Sequence, residues 1–160
     1  MRFSDEGKSL LMRLEGVKLY PYDDRNGKQL TTWNKYATIG VGYLIPEKLF
    51  YLYKDGITRQ KAFIMMEDVI PEYEQIIKAH VTKPLTQTEW DALVIFVYNL
   101  GETKFVGSSV QKMLCGEIGR YPTLEKAWKA WNKDNGVVKL GIVNRRNTEW
   151  NLFSKGDYNA

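Results

Sequence analysis

From Val17 to Ile45 the chain departs from the helical period. Ile39, Val41, Tyr43 and Ile45 alternate with Thr38, Gly40 and Gly42. That is a period of two, which predicts a strand with one apolar face. Pro21, the Asn26-Gly27 pair, Gly40 and Gly42 are turn or strand-kink residues, and Asn-Gly suits a hairpin turn. The region reads as a small antiparallel sheet, and everything after it reads as helical. A chain with a short sheet set among helices is constrained to a mixed α+β fold.

Ser4 has the character of an N-cap, with Asp5 and Glu6 suited to a helix start. Phe3, Gly7, Leu10, Leu11 and Leu14 then recur at helical spacing, and Gly16 is a stop just past the end. Glu15 therefore closes helix 1, one turn from Leu11 and beside Leu14. Further on, Ala62, Phe63, Met66, Val69, Ile70, Tyr73, Ile76 and Ile77 form one amphipathic stripe. Pro71 interrupts it and is expected to kink or break it. Thr86-Gln-Thr-Glu89 is a capping box. The helix it opens is apolar all round from Ala92 to Tyr98, which predicts central burial, and Gly101 ends it. Shorter helices are predicted around Val110–Leu114, Leu124–Trp131 and Asn144–Phe153.

The expected organisation is a single domain over 1–160. An N-terminal lobe with the hairpin covers about 1–56, a linking helix 57–81 and a larger helical lobe 82–160. Two lobes on one helix imply a cleft, where ligands commonly bind. No apolar run nears the roughly 18 residues of a spanning helix, so a membrane-inserted chain is not expected. Charges break the apolar stretch of the N-terminus, unlike a secretory signal peptide. Synthesis in a cytoplasm is expected, with any role outside it requiring another route of release.

One Cys, Cys115, excludes an internal disulfide framework. With a single His, His80, no protein-built metal site is expected, and no cofactor either. The net charge of +4 suits an anionic partner such as a cell-wall polymer, lipopolysaccharide or nucleic acid. Arg145-Arg146 alone do not make the basic stripe of a nucleic-acid binder.

Glycoside hydrolysis requires a protonated carboxyl for the leaving oxygen and a second group that activates water or attacks the sugar. The two work best in contrasting settings, one apolar and one polar. Glu15 closes a helix next to leucines, while Asp23 and Asp24 lie in a polar stretch before Asn26-Gly27. Thr38 opens a Thr-Ile-Gly-Val-Gly strand; its hydroxyl can hold a water, and the glycines admit close approach of a sugar. Trp33 and Tyr36 offer faces for sugar rings or packing for the hairpin. Taken alone, a Glu at a helix end and an Asp before a turn also fit a salt-bridged carboxylate and an Asx turn.

The run Glu15-Gly-Val-Lys-Leu-Tyr-Pro-Tyr-Asp-Asp24, then Ala-Thr38-Ile-Gly-Val-Gly42, resembles the T4-type bacteriophage lysozymes, glycoside hydrolase family 24. The likeness continues in order through Leu85-Thr-Gln, Asp91-Ala-Leu, Asn99-Leu-Gly-Glu-Thr103 and Gly141-Ile-Val-Asn-Arg-Arg146 with Glu149. It implies a lysozyme-like fold and a muramidase cutting the β-1,4 bond between N-acetylmuramic acid and N-acetylglucosamine, with inversion. Its partner would be the glycan strands of peptidoglycan, bound by a monomer that is made in the host cytoplasm and acts in the periplasm or on the cell wall after release. Glu15 would be the general acid, Asp24 the carboxylate assisting water, and Thr38 the residue positioning that water. Asn99 would face the glycan. Arg145 would pair with the catalytic Glu, lowering a pKa that burial raises.

Two departures stand out. The Asp24-to-Thr38 interval exceeds that of the shorter members, and the extra Lys28–Tyr36 segment is expected to lengthen the hairpin. Tyr43 stands where the family's strand ends in His, which should bear on stability. The competing functions are a lytic transglycosylase on the same bond and an inactive wall-binding relative.

Overall fold

The computed structural model describes residues 1–159. The chain forms two compact units, one of Met12–Val69 and one of Met1–Leu11 together with the chain from Ile70 onward. The first eleven residues thus fold with the C-terminal part. The divisions fall inside α1 (Asp5–Glu15) and α3 (Arg59–His80).

α1 begins as its sequence dictates. The Ser4 hydroxyl accepts from the Gly7 N–H at 3.0 Å, satisfying one of the helix's unpaired first donors. Its end is set by Gly16, at φ +72°, where a side chain would be strained.

The Met12–Val69 unit holds a three-stranded antiparallel sheet in the order β1 (Lys18–Asp23), β2 (Ala37–Gly40), β3 (Tyr43–Leu44). Tyr22 stands opposite Thr38, and Thr38 opposite Leu44. The predicted continuous strand over Thr38–Ile45 is instead a hairpin. Gly40 and Gly42 both take left-handed φ, +68° and +69°, and reverse the chain between β2 and β3. The period of two survived because the residues flanking the reversal keep facing one core. All four residues of β2 are buried, so the strand is covered on both faces rather than one.

The segment over 28–36 also differs from expectation. Asp23 accepts from Gly27 N–H at 2.7 Å to close the Asn26-Gly27 turn. Gln29 then bridges back to Tyr22, on the edge of β1 away from β2. The extra residues therefore do not lengthen a hairpin between β1 and β2; they leave the turn as a loop. Leu30 and Trp33 of that loop pack on a core of Ala37, Ile39, Ile45, Phe50 and Met65. A short 3₁₀ turn, Glu47–Leu49, and α2 (Phe50–Tyr53) follow.

α3 runs through Pro71 without the break that was one of the two outcomes expected there. Proline removes one N–H from the ladder, and Pro71 itself is exposed. In the second unit α4 (Gln87–Leu100) has the expected capping box, with Thr86 and Glu89 each bonded to the other's backbone N–H. It is buried from Trp90 to Val97. Three shorter helices follow, α5 (Glu102–Phe105), α6 (Ser109–Leu114) and α7 (Leu124–Lys129), and then the long α8 (Leu140–Lys155). One feature was not expected. β4 (Lys133–Asp134) and β5 (Val137–Val138) form a two-stranded ribbon, turned by Asn135 and Gly136 at φ +50° and +77°, as an Asn-Gly hairpin requires.

The core of this unit is aromatic. Trp128 is fully buried and its ring packs on Phe96, Trp150 and Phe153 with centroids 4.4, 5.8 and 5.2 Å away. Beside it lies a buried ionic network. Glu149 accepts from Trp128 Nε1 at 3.1 Å, and Arg145 Nε and Arg146 Nε stand 3.0 Å from its two oxygens. His80 is structural, its Nδ1 2.9 Å from the Ile76 carbonyl. Cys115 is half-buried rather than sequestered, and its Sγ donates to the His80 carbonyl at 3.0 Å. Asp91, fully buried on α4, accepts from Ser4, Gln87 and Tyr158 and ties both chain ends to that helix.

Candidate active site

Glu15, Asp24 and Thr38 all lie in the Met12–Val69 unit. Glu15 is the last residue of α1 and is half-buried. Two residues of connection, Gly16 and Val17, lead from it into β1. Asp24 begins the turn at the far end of β1, its N–H donating to the Tyr36 carbonyl at 3.2 Å. Thr38 lies on β2, opposite Tyr22.

The two adjacent carboxylates of Asp23 and Asp24 do different work. Asp23 is buried and its oxygens are occupied. They accept from the Arg25 N–H and guanidinium at 2.8–3.1 Å and from Asn34 Nδ2 at 3.0 Å. The Arg25 guanidinium holds this carboxyl well below the usual carboxylate range, against the opposing effect of burial. Asp23 is therefore the turn residue, fastened from both sides. Asp24 is exposed, and among the described residues no hydrogen bond or ion pair occupies its carboxylate. It is the one of the two that a water or a substrate can reach.

Tyr22 links the group, and sequence reasoning did not single it out. Its phenol is pushed up to about 12, first by burial, then by the negative charges of Asp24 and Glu15. A single side chain opposite Thr38 thus feels both carboxylates. The signal that would have found it is the strand register, which sets it across from Thr38.

The Thr38 hydroxyl is 4% exposed as a residue and donates its one hydrogen to the Tyr36 carbonyl at 2.9 Å. Its oxygen is left as an acceptor only. The aromatic residues of the loop are already engaged. Trp33 packs on the core and its Nε1 donates to the Ile45 carbonyl at 2.8 Å. Tyr36 carries the Arg25 guanidinium 3.8 Å above its ring centroid, a cation–π contact. Asn99 and Arg145 belong to the other unit. The exposed Asn99 accepts a hydrogen bond from the buried Arg146, and Arg145 is held by Glu149.

The chain as a whole matches known proteins. The phage lysozyme family model matches residues 12–149. The chain belongs to the phage lysozyme family. It is 32% identical to the endolysin of Bacillus phage PZA over 98% of its length. It spans only 56% of that relative, about half. It is 30% identical to the endolysin of Salmonella phage P22, covering 96% of this chain and 98% of that protein. The endolysin of Escherichia coli O157:H7 phage FAHEc1 superposes with a TM-score of 0.75 over 100% of this chain and 98% of that one, at 24% identity. That last likeness is one of fold.

Proposed function

We propose that this chain is a muramidase that hydrolyses the β-1,4 bond between N-acetylmuramic acid and N-acetylglucosamine in peptidoglycan, inverting the anomeric centre. Glu15 donates a proton to the leaving oxygen, Asp24 accepts one from the attacking water, and Thr38 holds that water. The reading places its action on the bacterial wall, without a cofactor, by a monomer. The observation that carries it is the division of labour at Asp23 and Asp24, one carboxylate consumed by the fold and its neighbour left open beside Tyr22 and Thr38.

The chemistry follows from hydrogen-bond roles. A water has two hydrogens to give. Thr38 Oγ1, its own hydrogen spent on Tyr36, accepts one of them. The exposed carboxylate of Asp24 accepts the other and draws it off as the oxygen attacks. That fixes the water's orientation before reaction, so less orientational freedom remains to be lost in the transition state. General acid catalysis by Glu15 and base assistance by Asp24 on opposite faces of the sugar give inversion.

The test is product analysis. Purified peptidoglycan digested with the enzyme should yield muropeptides with reducing ends, the initial anomer being α. A predominance of 1,6-anhydro ends by mass spectrometry would replace hydrolysis with transglycosylation. A β anomer in the first product, read by NMR, would overturn inversion.

A further inference from the structure

The strongest unassigned feature is a cavity of about 600 Å³ in the helical unit, within the size range of small-ligand sites. Four cations line it, Lys104, Lys112, Arg120 and Lys133, together with the aromatic rings of Tyr121 and Trp131. No Asp or Glu lines it. Among the described residues no carboxylate is ion-paired with any of the four. Every charged side chain of the lining is thus a cation, which suits an anionic ligand.

The wall carrying Arg120 and Tyr121 is fixed in place. A Cβ added at Gly119 would stand 2.9 Å from Met113 Cγ and from Ser109 Cβ, so only glycine allows this strand of chain to lie against α6. The Arg120 N–H then donates to Ser109 Oγ at 2.9 Å. The arrangement fixes the backbone that carries Arg120 and Tyr121 beside α6.

We propose that this cavity binds a phosphorylated sugar of the bacterial envelope. Charge density sets the anion. A phosphomonoester carries about −1.5 to −2 near neutral pH, so two of them match four cations. Carboxylates would have to crowd four into the same volume. The aromatic rings set the carrier, because Tyr and Trp offer flat amphipathic faces for the C–H face of a pyranose. Such a site would hold the protein at the envelope independently of the glycan it cleaves. The bisphosphorylated glucosamine disaccharide of lipopolysaccharide carries this chemistry, with two phosphomonoesters on pyranose rings.

Isothermal titration of the full chain tests this. The probes are a bisphosphorylated glucosamine disaccharide freed of acyl chains, a poly(glycerol phosphate), the unphosphorylated disaccharide, inorganic phosphate and an acidic tetrapeptide. The expected result is saturable binding of the bisphosphorylated disaccharide, weakened about tenfold or more without phosphate, and falling steeply with added salt, as charge-assisted contacts require. The double variant Lys112→Ala/Arg120→Ala, with its circular dichroism unchanged, should lose that binding while still degrading purified peptidoglycan. Tyr121→Ala should weaken sugar phosphate but not inorganic phosphate. Binding that is equal with and without phosphate overturns the proposal. So does poly(glycerol phosphate), inorganic phosphate or the acidic peptide binding as tightly as the sugar phosphate, or no binding by the bisphosphorylated disaccharide. Failure of the muramidase reading would appear in product analysis and leave these titrations unaffected.

Discussion

Glu149→Gln should be the most destabilising single-atom change in the helical unit. Glu149 is completely buried and faces three donors, Trp128 Nε1, Arg145 Nε and Arg146 Nε. The side chains of the two arginines are 10% and 1% exposed. Glutamine retains one carbonyl oxygen, enough for the indole N–H, but turns an N–H₂ toward guanidinium and removes the negative charge. Arg146 then remains as a buried cation without its counter-charge. Removing one partner of such a pair costs about 3–5 kcal/mol. In a chain of this length each kcal/mol lowers Tm by about 2–4 °C, so the expected fall is roughly 6–20 °C. Urea unfolding followed by circular dichroism reads the free energy, and calorimetry reads Tm. The paired variant Glu149→Leu/Arg146→Met should recover most of the loss, because apolar residues of similar volume replace buried ions at little net cost. A loss below about 1 kcal/mol for Glu149→Gln would refute the reasoning, since it would mean that the network carries no more than an exposed ion pair.

Three further outcomes follow from the site. The Tyr22 phenol should titrate near 12, and Asp24→Asn or Glu15→Gln should each lower that value, as followed by ¹³C NMR of the labelled ring; an unchanged titration in both would separate Tyr22 from the carboxylates. Because Asp23 has its pKa depressed in the fold, its contribution is present above the unfolded value of about 3.9 and lost as pH falls below it. Asp23→Asn should therefore flatten the acid limb of the stability curve, and an unchanged limb by chemical denaturation at low pH would count against the Arg25 contact. Trp33→Ala should cost about 2–4 kcal/mol, somewhat less than truncating a fully buried Trp, because the ring is partly exposed but also gives up its bond to Ile45; a loss of a few tenths would mean that the loop is held by something else.

Much of the fold could be read from residues that act locally. Ser4, Gly16, the Thr86 capping box and Gly101 bound their helices as expected, because caps depend on a few neighbouring atoms. The errors came where distant contacts decide. The alternation over Ile39–Ile45 is the same whether the chain runs straight or doubles back, and only the left-handed φ of Gly40 and Gly42 distinguishes the two. The loop over 28–36 reads as a longer hairpin until Gln29 is found on the outer edge of β1. Pro71 reads as a breaker, yet an exposed proline removes one bond without ending the helix.

At the site, the resemblance singled out Asp24 over Asp23; in the fold Arg25 and Asn34 occupy Asp23 while Asp24 is exposed. Tyr22 was not legible, because its importance lies in the register that sets it opposite Thr38 and within reach of two charges. The four cations around the cavity were equally hidden. They are scattered from Lys104 to Lys133 in sequence, and only the fold brings α5, α6, the loop after α6 and β4 together to gather them.

The central claim is that Glu15 supplies the proton. Glu15→Gln preserves size and hydrogen bonding but has no proton to give, so its rate of clearing outer-membrane-stripped Gram-negative cells, measured by turbidity, tests the claim directly. A fall of about 10²–10⁴-fold or more, with an unchanged far-UV spectrum, is the predicted result. A folded Glu15→Gln protein that clears cells as fast as the parent would contradict it.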